Sequence, residues 1–269
     1  MVAHMKGPFA NHVPRTRFDQ IQWVAETGST NQDALAAASA GADEGLVLLA
    51  DYQSAGRGRL NRTWEAPRGA SVLCSVLLRP SLEPDELFLL TAACAVAARQ
   101  AVAEVTGVEL GLKWPNDLIF STPDGGTRKV AGILAESHVV AGSVDAVVVG
   151  MGLNVNWPAD LPSDLVEIAT ALNHLCGHEV ERNDIVVAWL THYEAALQQI
   201  ENASTRHEFL KTYSAQLVTI GQNVRVETAH ETFSGVARGL SAKGHLLVDC
   251  DGTEREVTVA DVVHLRATH

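Results

Sequence analysis

The sequence has few cysteines and no long apolar run, and both deficits limit the kind of protein it encodes. Its four cysteines, Cys74, Cys94, Cys176 and Cys250, lack the paired spacing of a disulfide framework. Three of them lie in apolar stretches, so we expect reduced, structural thiols. No apolar run approaches the ~20 residues of a bilayer span, and residues 1–11 lack the apolar core of a signal peptide. These features predict a cytoplasmic protein without a membrane partner.

Positive charge is also scarce. The 20 Lys and Arg residues face 32 Asp and Glu residues, which gives a net charge of −12 and a pI near 5.3. This balance argues against nonspecific binding to nucleic acid or to an anionic membrane. About twenty residues precede the first predicted strand, Ile21–Val24, which is too few for a helix-turn-helix. We therefore expect no DNA partner.

The positive charges are concentrated in one loop, Asp51–Ser71, which we call the arginine loop. Its arginines are opposed by one acidic residue, Glu65, and its glycines let the backbone approach a ligand closely. Guanidinium groups bind carboxylate or phosphate oxygens in pairs, so the loop predicts an anion site. The residues concerned are Arg57, Arg59, Arg62, Arg68, Gly56, Gly58 and Gly69.

Two other interpretations fit the sequence of the arginine loop. A solvated surface loop has the same composition. The run Gly56–Gly58 after the predicted strand Leu46–Ala50 also matches the start of a dinucleotide-binding fingerprint. That match is weak, because Asn61 stands where the third glycine belongs and Trp64 and Pro67 follow where a helix should begin.

Two further segments combine polar side chains with a constrained backbone. Ser29 and Thr30 precede a predicted helix, Gln32–Ala40, where they would cap the first turn or hold a polar ligand beside its free amides. Lys113 and Asn116–Asp117 flank a proline, so they would bind phosphate and a metal ion or form an ordinary turn between strands.

Glycines accompany polar residues in one later predicted strand and at the end of the next, Val144–Gly150. Lys129 begins an apolar strand, Arg128–Val139, either as an edge charge or as an inward-facing ligand, and Gly132 slightly favours the inward orientation. The run Gly150–Asn156 suits close approach to a flat polar group such as a nucleobase, although turn chemistry explains it almost as well.

One group of residues has the spacing of metal ligands. His174, Cys176 and His178 form a His-x-Cys-x-His pattern, but no second cluster completes a site. We therefore predict no metal centre there.

The remaining pattern divides the chain into three parts. Apolar spacing predicts the strand Ala70–Arg79 and a long helix, Asp85–Thr106. Three later helices are predicted at Leu165–Cys176, Asn183–Ile200 and Glu208–Leu217.

After Gly221, short alternating segments predict a small antiparallel barrel of about fifty residues. The boundaries are a flexible tail over 1–17, a larger domain over 18–218 and the barrel over 219–269.

Five motifs occur in the order seen in biotin protein ligases, and the chain resembles that family from about residue 20 to residue 266. The motifs are Ser29–Gln32, Gln53–Arg59, Lys113–Asp117, Lys129–Leu134 and Gly150–Asn156. The resemblance implies an α+β catalytic domain with a mixed, mainly antiparallel sheet flanked by helices, as in class II synthetases, and an SH3-like C-terminal barrel. It also implies a monofunctional member, since the N-terminal DNA-binding domain of the bifunctional repressors is missing here.

The resemblance implies a reaction in two steps. The carboxylate of biotin attacks the α-phosphorus of ATP, with Mg²⁺ screening the triphosphate, to give biotinyl-5′-AMP and pyrophosphate. A lysine on the biotin carboxyl-carrier domain of an acyl-CoA carboxylase then displaces AMP. No covalent enzyme intermediate is implied, which agrees with a site rich in arginine and lysine that lacks a nucleophile–base pair.

The resemblance also implies residue roles. Lys129 would approach the carboxylate and α-phosphate oxygens, Arg59 would retain the adenylate, and Lys113 would face the ATP phosphates. The expected biotin-binding residues are Ser29, Thr30, Asn31, Gln53, Gly56, Arg57, Gly58, Arg59, Lys129, Gly132, Leu134 and Gly150. The expected ATP-binding residues are Arg62, Trp64, Lys113, Asn116, Asp117, Lys129 and Asn154.

One departure from the family and three alternatives remain. The family loop often reads Gly-Arg-Gly-Arg-x-Gly-Arg, and Asn61 replaces its last glycine. Asparagine tolerates left-handed φ, so we expect the turn to survive with altered loop kinetics. The first alternative is a lipoate–protein ligase, which shares the chemistry. The others are a biotin-sensing regulator and an RNA-binding module, and the acidic charge weighs against both. Monomer and homodimer both remain open.

Overall fold

A seven-stranded sheet forms the centre of the larger domain. The computed structural model describes residues 8–161, 165–228, 230–258 and 261–264. The strand order is β1-β2-β3-β7-β6-β5-β4, with β1 and β2 parallel and the other neighbours antiparallel. The strands are β1 Gln20–Val24, β2 Leu46–Ala50, β3 Ser71–Leu78, β4 Gly111–Lys113, β5 Asp117–Ser121, β6 Thr127–Val140 and β7 Ser143–Asn154.

Helices cover both faces of this sheet. They are α1 Thr30–Ser39, α2 Phe88–Thr106, α3 Leu172–Cys176, α4 Arg182–Glu201 and α5 Ala203–Gln216. Every residue of β3 is buried, and successive side chains of a strand point to opposite faces. Val76 and Leu78 accordingly join the main core with α2 and α4, whereas Leu77 packs with Ala34 and Ala38 of α1.

The core helix α2 is unusually apolar. It ends at Gly107, whose left-handed φ of 70° suits a residue without a side chain. Within the described residues, the stretch Pro84–Thr106 is long and apolar enough to cross a membrane by composition alone, but 67% of its apolar window is buried inside the protein. The expectation that no stretch approaches spanning length is therefore too strong, and burial explains why this one is apolar.

The predicted helix Leu165–Cys176 is wrong in its first half. Only Leu172–Cys176 is helical. The preceding backbone pairs with β6 instead: the Lys129 N–H donates to the Ile168 carbonyl at 2.8 Å, and the Thr170 N–H donates to the Lys129 carbonyl at 2.9 Å. Backbone groups committed to these bonds cannot also form a helical ladder.

The predicted flexible tail is wrong for residues 8–17. Phe9 and Val13 are buried in the main core. Arg17 forms ion pairs with Glu194 at 3.0 Å and Glu201 at 2.7 Å. Burial alone would lower the pKa of Arg17, but hydrogen bonds to both carboxylates outweigh it and hold that pKa above its usual value. Residues 1–7 of the predicted tail lie outside the described residues.

The segment after α5 forms a five-stranded antiparallel sheet, in the order β11-β10-β9-β8-β12. Its strands are β8 Asn223–Glu227, β9 Thr232–Leu240, β10 Leu246–Cys250, β11 Thr253–Val257 and β12 Asp261–His264. Val259 and Leu265, predicted as strand residues, lie outside the described residues. The predicted fold class is confirmed, while the division at residue 219 stays a prediction.

Trp114 joins the small sheet to the larger domain. Its backbone N–H donates to the Thr219 hydroxyl at 3.0 Å, and its ring nitrogen donates to the Gly244 carbonyl at 3.3 Å. His264 Nε2 lies 3.2 Å from the same Thr219 hydroxyl. These contacts fix β12 beside the turn that carries Lys113–Asp117.

This junction predicts a dependence of stability on pH. Burial, reinforced by nearby Lys113, lowers the pKa of His264 from 6.5 to about 4. As the pH falls, His264 therefore takes up a proton in the unfolded chain before it does so in the folded protein. The contribution of neutral His264 to stability is complete above pH 6.5 and is lost as the pH falls toward 4. We predict that His264→Gln, which can keep the bond to Thr219, loses less stability on acidification than the wild type. Urea denaturation at about pH 7 and about pH 5 tests this, and equal losses in both proteins would contradict it.

Candidate functional site

A cavity of about 230 Å³ lies on the α1 side of the sheet, beneath the arginine loop. Its floor consists of glycines on the two central strands: Gly132 of β6 pairs with Gly152 of β7, and Leu134 pairs with Gly150. Because no side chain rises from these glycines, the floor accepts close approach by a flat group.

The arginine loop folds into a small hairpin over this floor. Gly58 N–H donates to the Arg62 carbonyl at 2.7 Å, and Trp64 N–H donates to the Gly56 carbonyl at 3.0 Å. A 3₁₀ turn, Arg59–Asn61, forms the tip. The left-handed residue of that turn is Leu60, with φ of 53°, and not Asn61 as the family pattern suggested. A left-handed leucine costs about 1–2 kcal/mol, so the tip is strained.

The Trp64 ring fills the space directly above the floor. A Cβ added at Gly152 would lie 2.4 Å from Trp64 Cε2, and one added at Gly132 would lie 2.9 Å from Cζ3. Lys129 Nζ lies 5.3 Å from the ring centroid, within cation–π range. Within the described residues, the buried Trp64 Nε1 has no hydrogen-bond partner. The ring therefore packs well but leaves its donor unused.

The N-terminus of α1 borders one end of the cavity. Ser29 is the N-cap, but its side chain makes no capping hydrogen bond, so the predicted hydroxyl cap is wrong. Instead the Gln53 Oε1 accepts from the Thr30 backbone N–H at 2.8 Å and from the Thr30 hydroxyl at 3.0 Å. These bonds orient Gln53 across the cavity end.

Asn31 of α1 is hydrogen-bonded to two strands of the sheet, β6 and β3. Its Nδ2 donates to the Leu134 carbonyl at 3.2 Å and to Glu136 Oε2 at 2.9 Å. Its Oδ1 accepts from the Ser75 hydroxyl at 2.6 Å. A Cβ at Gly150 would lie 2.0 Å from that oxygen, so only glycine fits beneath it.

The opposite end of the cavity carries the second motif. Lys129 Nζ forms an ion pair with Asp117 Oδ1 at 2.7 Å. Asn116 Nδ2 donates to the Ile133 carbonyl at 2.7 Å, and its Oδ1 accepts from Arg59 Nη1 at 3.2 Å. This turn is therefore bonded both to the sheet and to the arginine loop.

All of the predicted site residues line this cavity except Gly56 and Asn154. Gly56 supports the hairpin instead, since a Cβ there would lie 2.3 Å from the Trp64 carbonyl. Asn154 is buried and donates to the Thr170 carbonyl at 3.0 Å, which holds that segment against β7. Their ligand-binding roles, like those of the other site residues, stay predictions.

Two other sequence features lie away from the cavity. Arg68, the last arginine of the loop, lies over Tyr52 at 4.7 Å and pairs with Glu26, and it does not line the cavity. The His174, Cys176 and His178 side chains contact separate backbone carbonyls, and the described part of the chain contains no group of three or more metal-ligating side chains.

Sequence reasoning missed several neighbours of the cavity. Ser75 and Glu136 are single polar residues within apolar strands, and that pattern is the signal that was available. No sequence pattern near β12 indicates that this strand lies beside the site. The additional lining residues are Thr63, Cys74, Trp114, Pro115, Ile133, Met151, Gly152, Val262 and Val263.

Comparisons with known proteins agree with this architecture. Residues 23–154 match the Biotin/lipoate A/B protein ligase family, and residues 219–265 match the Biotin protein ligase C terminal domain. The chain is 40% identical over 253 residues to Biotin--[acetyl-CoA-carboxylase] ligase of Mycobacterium tuberculosis, covering 92% of this chain and 90% of that protein. It is 33% identical to the Bifunctional ligase/repressor BirA of Bacillus subtilis, covering 87% of this chain and 70% of that protein.

A solved structure shares the fold. The biotin protein ligase from Aquifex aeolicus in complex with biotin and ATP superimposes with a TM-score of 0.77 at 27% identity, covering 93% of this chain and all of that one. The chain therefore belongs to the biotin/lipoate A/B protein ligase family. Within that family, the match of residues 219–265 is to the C-terminal domain of biotin protein ligases.

The glycine floor generates a testable prediction. Gly150→Ala should lower the free energy of unfolding by about 1–3 kcal/mol, because the added methyl group collides with the Asn31 oxygen. Gly239→Ala is the matched control: it also lies in a strand, and its Cβ would meet nothing within 4 Å. Urea denaturation of both variants measures the difference, and equal stabilities would contradict the described packing.

Proposed function

We propose that this protein is a biotin protein ligase that forms biotinyl-5′-AMP from biotin and ATP and then transfers biotin to a lysine. The observation that carries this proposal is one glycine-floored cavity lined by Lys113, Lys129 and three arginines of the loop. This cavity belongs to a chain that is 40% identical to a protein named Biotin--[acetyl-CoA-carboxylase] ligase.

The α1 end of the cavity suits the ureido ring of biotin. That ring offers a carbonyl acceptor and two N–H donors, so it needs both kinds of partner. Ser29, Thr30 and Gln53 supply hydroxyl and amide groups with both capacities. The glycine floor beyond them admits the flat fused rings. The dithiolane ring of lipoate makes no use of such a polar end, and this favours biotin over lipoate.

The opposite end suits the chemistry of adenylation. When the biotin carboxylate attacks the α-phosphorus, negative charge moves onto the phosphate oxygens and the departing pyrophosphate. Lys129 is already oriented by its 2.7 Å ion pair with Asp117, so it can stabilise that charge without rearranging. Lys113, Arg59 and Arg62 are assigned to the remaining phosphate oxygens. No protein nucleophile is needed, because positioning and fixed charge are sufficient.

Magnesium fits the site in the way usual for nucleotide enzymes, through few protein ligands and several phosphate oxygens. Asp117 is the only carboxylate among the described residues that line the cavity, and we assign it to the ion. When bound, Mg²⁺ would screen the charge of the triphosphate.

Substrate entry requires the arginine loop to move. The cavity of about 230 Å³ is smaller than the roughly 300–1,000 Å³ typical of pockets for small ligands. Trp64 occupies the space above the floor, so it must swing aside to admit biotin and ATP. Reclosure would then exclude water from the reactive adenylate.

We propose the acceptor from the activity for which a relative is named, and the location from the composition of the chain. An acetyl-CoA-carboxylase ligase implies a biotin carboxyl-carrier domain of an acyl-CoA carboxylase as the acceptor of biotin. The scattered cysteines favour the cytoplasm.

Pyrophosphate exchange tests adenylation directly. We predict that the protein, given Mg-ATP and labelled pyrophosphate, incorporates label into ATP with biotin and not with lipoate. Lys129→Ala should reduce the exchange rate by about 10²–10³-fold, because a charge stabilising the transition state is lost.

The matched control is Lys211→Ala, which removes an exposed lysine of α5 that pairs with Glu208. It should leave the exchange rate unchanged. Exchange with lipoate and not with biotin would overturn the assignment of biotin as the substrate. Absence of exchange from folded wild-type protein would overturn the ligase proposal, and full activity in Lys129→Ala would overturn the role of that lysine.

A further inference from the structure

One carboxylate beside the cavity contacts both the arginine loop and α1. Glu136 Oε1 forms an ion pair with Arg57 Nη1 at 3.0 Å, and Glu136 Oε2 accepts from Asn31 Nδ2 at 2.9 Å. The Glu136 side chain is only 20% exposed. A carboxylate next to a site for anionic substrates repels them, so we expect it to have another role that offsets this repulsion. Its two bonds indicate what that is.

The bond to Asn31 sets the direction of hydrogen bonding at the α1 end. A carboxylate and a carbonyl only accept, so Glu136 and the Leu134 carbonyl engage both hydrogens of Asn31 Nδ2. Asn31 Oδ1 must then face Ser75, whose single hydroxyl hydrogen is donated to it at 2.6 Å.

Ser75 Oγ also lies 2.7 Å from the Thr30 hydroxyl oxygen, and the Thr30 hydroxyl donates its own hydrogen to Gln53 Oε1 at 3.0 Å. Because that hydrogen is engaged, Thr30 can offer a lone pair to an N–H group of a ligand. The orientation fixed at Glu136 thus extends to the polar end of the cavity.

The bond to Arg57 holds the arginine loop closed. Arg57 lies in the hairpin beside Gly58, and the pairing of Arg57 with Thr63 continues to Trp64, which covers the floor. Charge-assisted contacts of a partly buried carboxylate are stronger than neutral ones. Glu136 is therefore placed to favour the closed loop.

We propose that Glu136 is a positioning residue that couples the two ends of this arrangement, closing the loop through Arg57 and setting the acceptor at Thr30 through Asn31 and Ser75. This inference rests on the proposed function and adds a residue to it. Glu136 touches neither reacting group, so its removal should weaken biotin binding more than it slows the chemical step.

The expected effect concerns the loop after it has reclosed over bound biotin. The Arg57–Glu136 pair would favour that reclosed, ligand-bound state, so loss of the pair lowers the apparent affinity for biotin and speeds release of the adenylate. Glu136→Gln removes the ion pair, and its amide keeps one acceptor oxygen, so either Asn31 or Arg57 is left facing an N–H donor. We expect the KM for biotin to rise roughly tenfold or more, as for loss of a charged hydrogen bond, with kcat changed less than about threefold.

The experiment measures KM and kcat for biotin-dependent pyrophosphate exchange, together with the rate at which bound biotinyl-5′-AMP is released. The variants are Glu136→Gln, Arg57→Gln and the double variant. Asp145→Asn is the control: it removes a carboxylate of β7 that pairs with Arg79 at 2.7 Å, away from the cavity. Thermal unfolding of each variant shows that the assays are run on folded protein.

The inference predicts a higher KM and faster adenylate release for Glu136→Gln and unchanged values for Asp145→Asn. In the double variant, KM and the release rate should be about those of the more strongly affected single variant. Unchanged KM and release in Glu136→Gln, a loss confined to kcat, or additive effects in the double variant would overturn it. If the wild type itself shows no biotin-dependent exchange, the proposed function fails first and this inference fails with it.

Discussion

The absence of side chains along the centre of the sheet is the constraint on which the site depends. Gly132, Gly150 and Gly152 lie on neighbouring strands and share the face covered by α1. The space they leave allows Asn31 and Trp64 to approach the backbone more closely than any Cβ would permit. The rest of the larger domain supports this flat surface: helices bury the sheet from both sides, so the strands cannot shift to accommodate a side chain.

Charge is arranged around that floor in balanced groups. Lys129 is paired with Asp117, and Arg57 with Glu136, so the cations stay fixed in an acidic protein whose overall field does not favour anions. Fixed, oriented charges are effective at a reaction centre because they need no reorganisation when charge moves. The Arg57–Glu136 pair also ties the arginine loop to β6.

The sequence was sufficient to predict most of the residues that line the cavity, because several of the family motifs lie where strands end and helices begin. Ser29–Gln32, Gln53–Arg59 and Lys113–Asp117 are such positions. Residues whose role depends on distant partners could not be predicted. Glu136 reads locally as an ordinary strand residue, and only the packing of α1 and the loop onto β6 gives it two partners. Phe9 and Val13 look like tail residues until the core that buries them is known. The segment before α3 has the apolar spacing of a helix, but its backbone pairs with β6 instead.

The central claim is that the floor and the closed loop hold biotin as its adenylate. Native mass spectrometry, after incubation with biotin and Mg-ATP without an acceptor protein and removal of free ligand by gel filtration, tests this most directly. The account predicts a complex that retains one biotinyl-5′-AMP for each chain. Recovery of the protein without ligand, or with unreacted biotin and ATP, would contradict it.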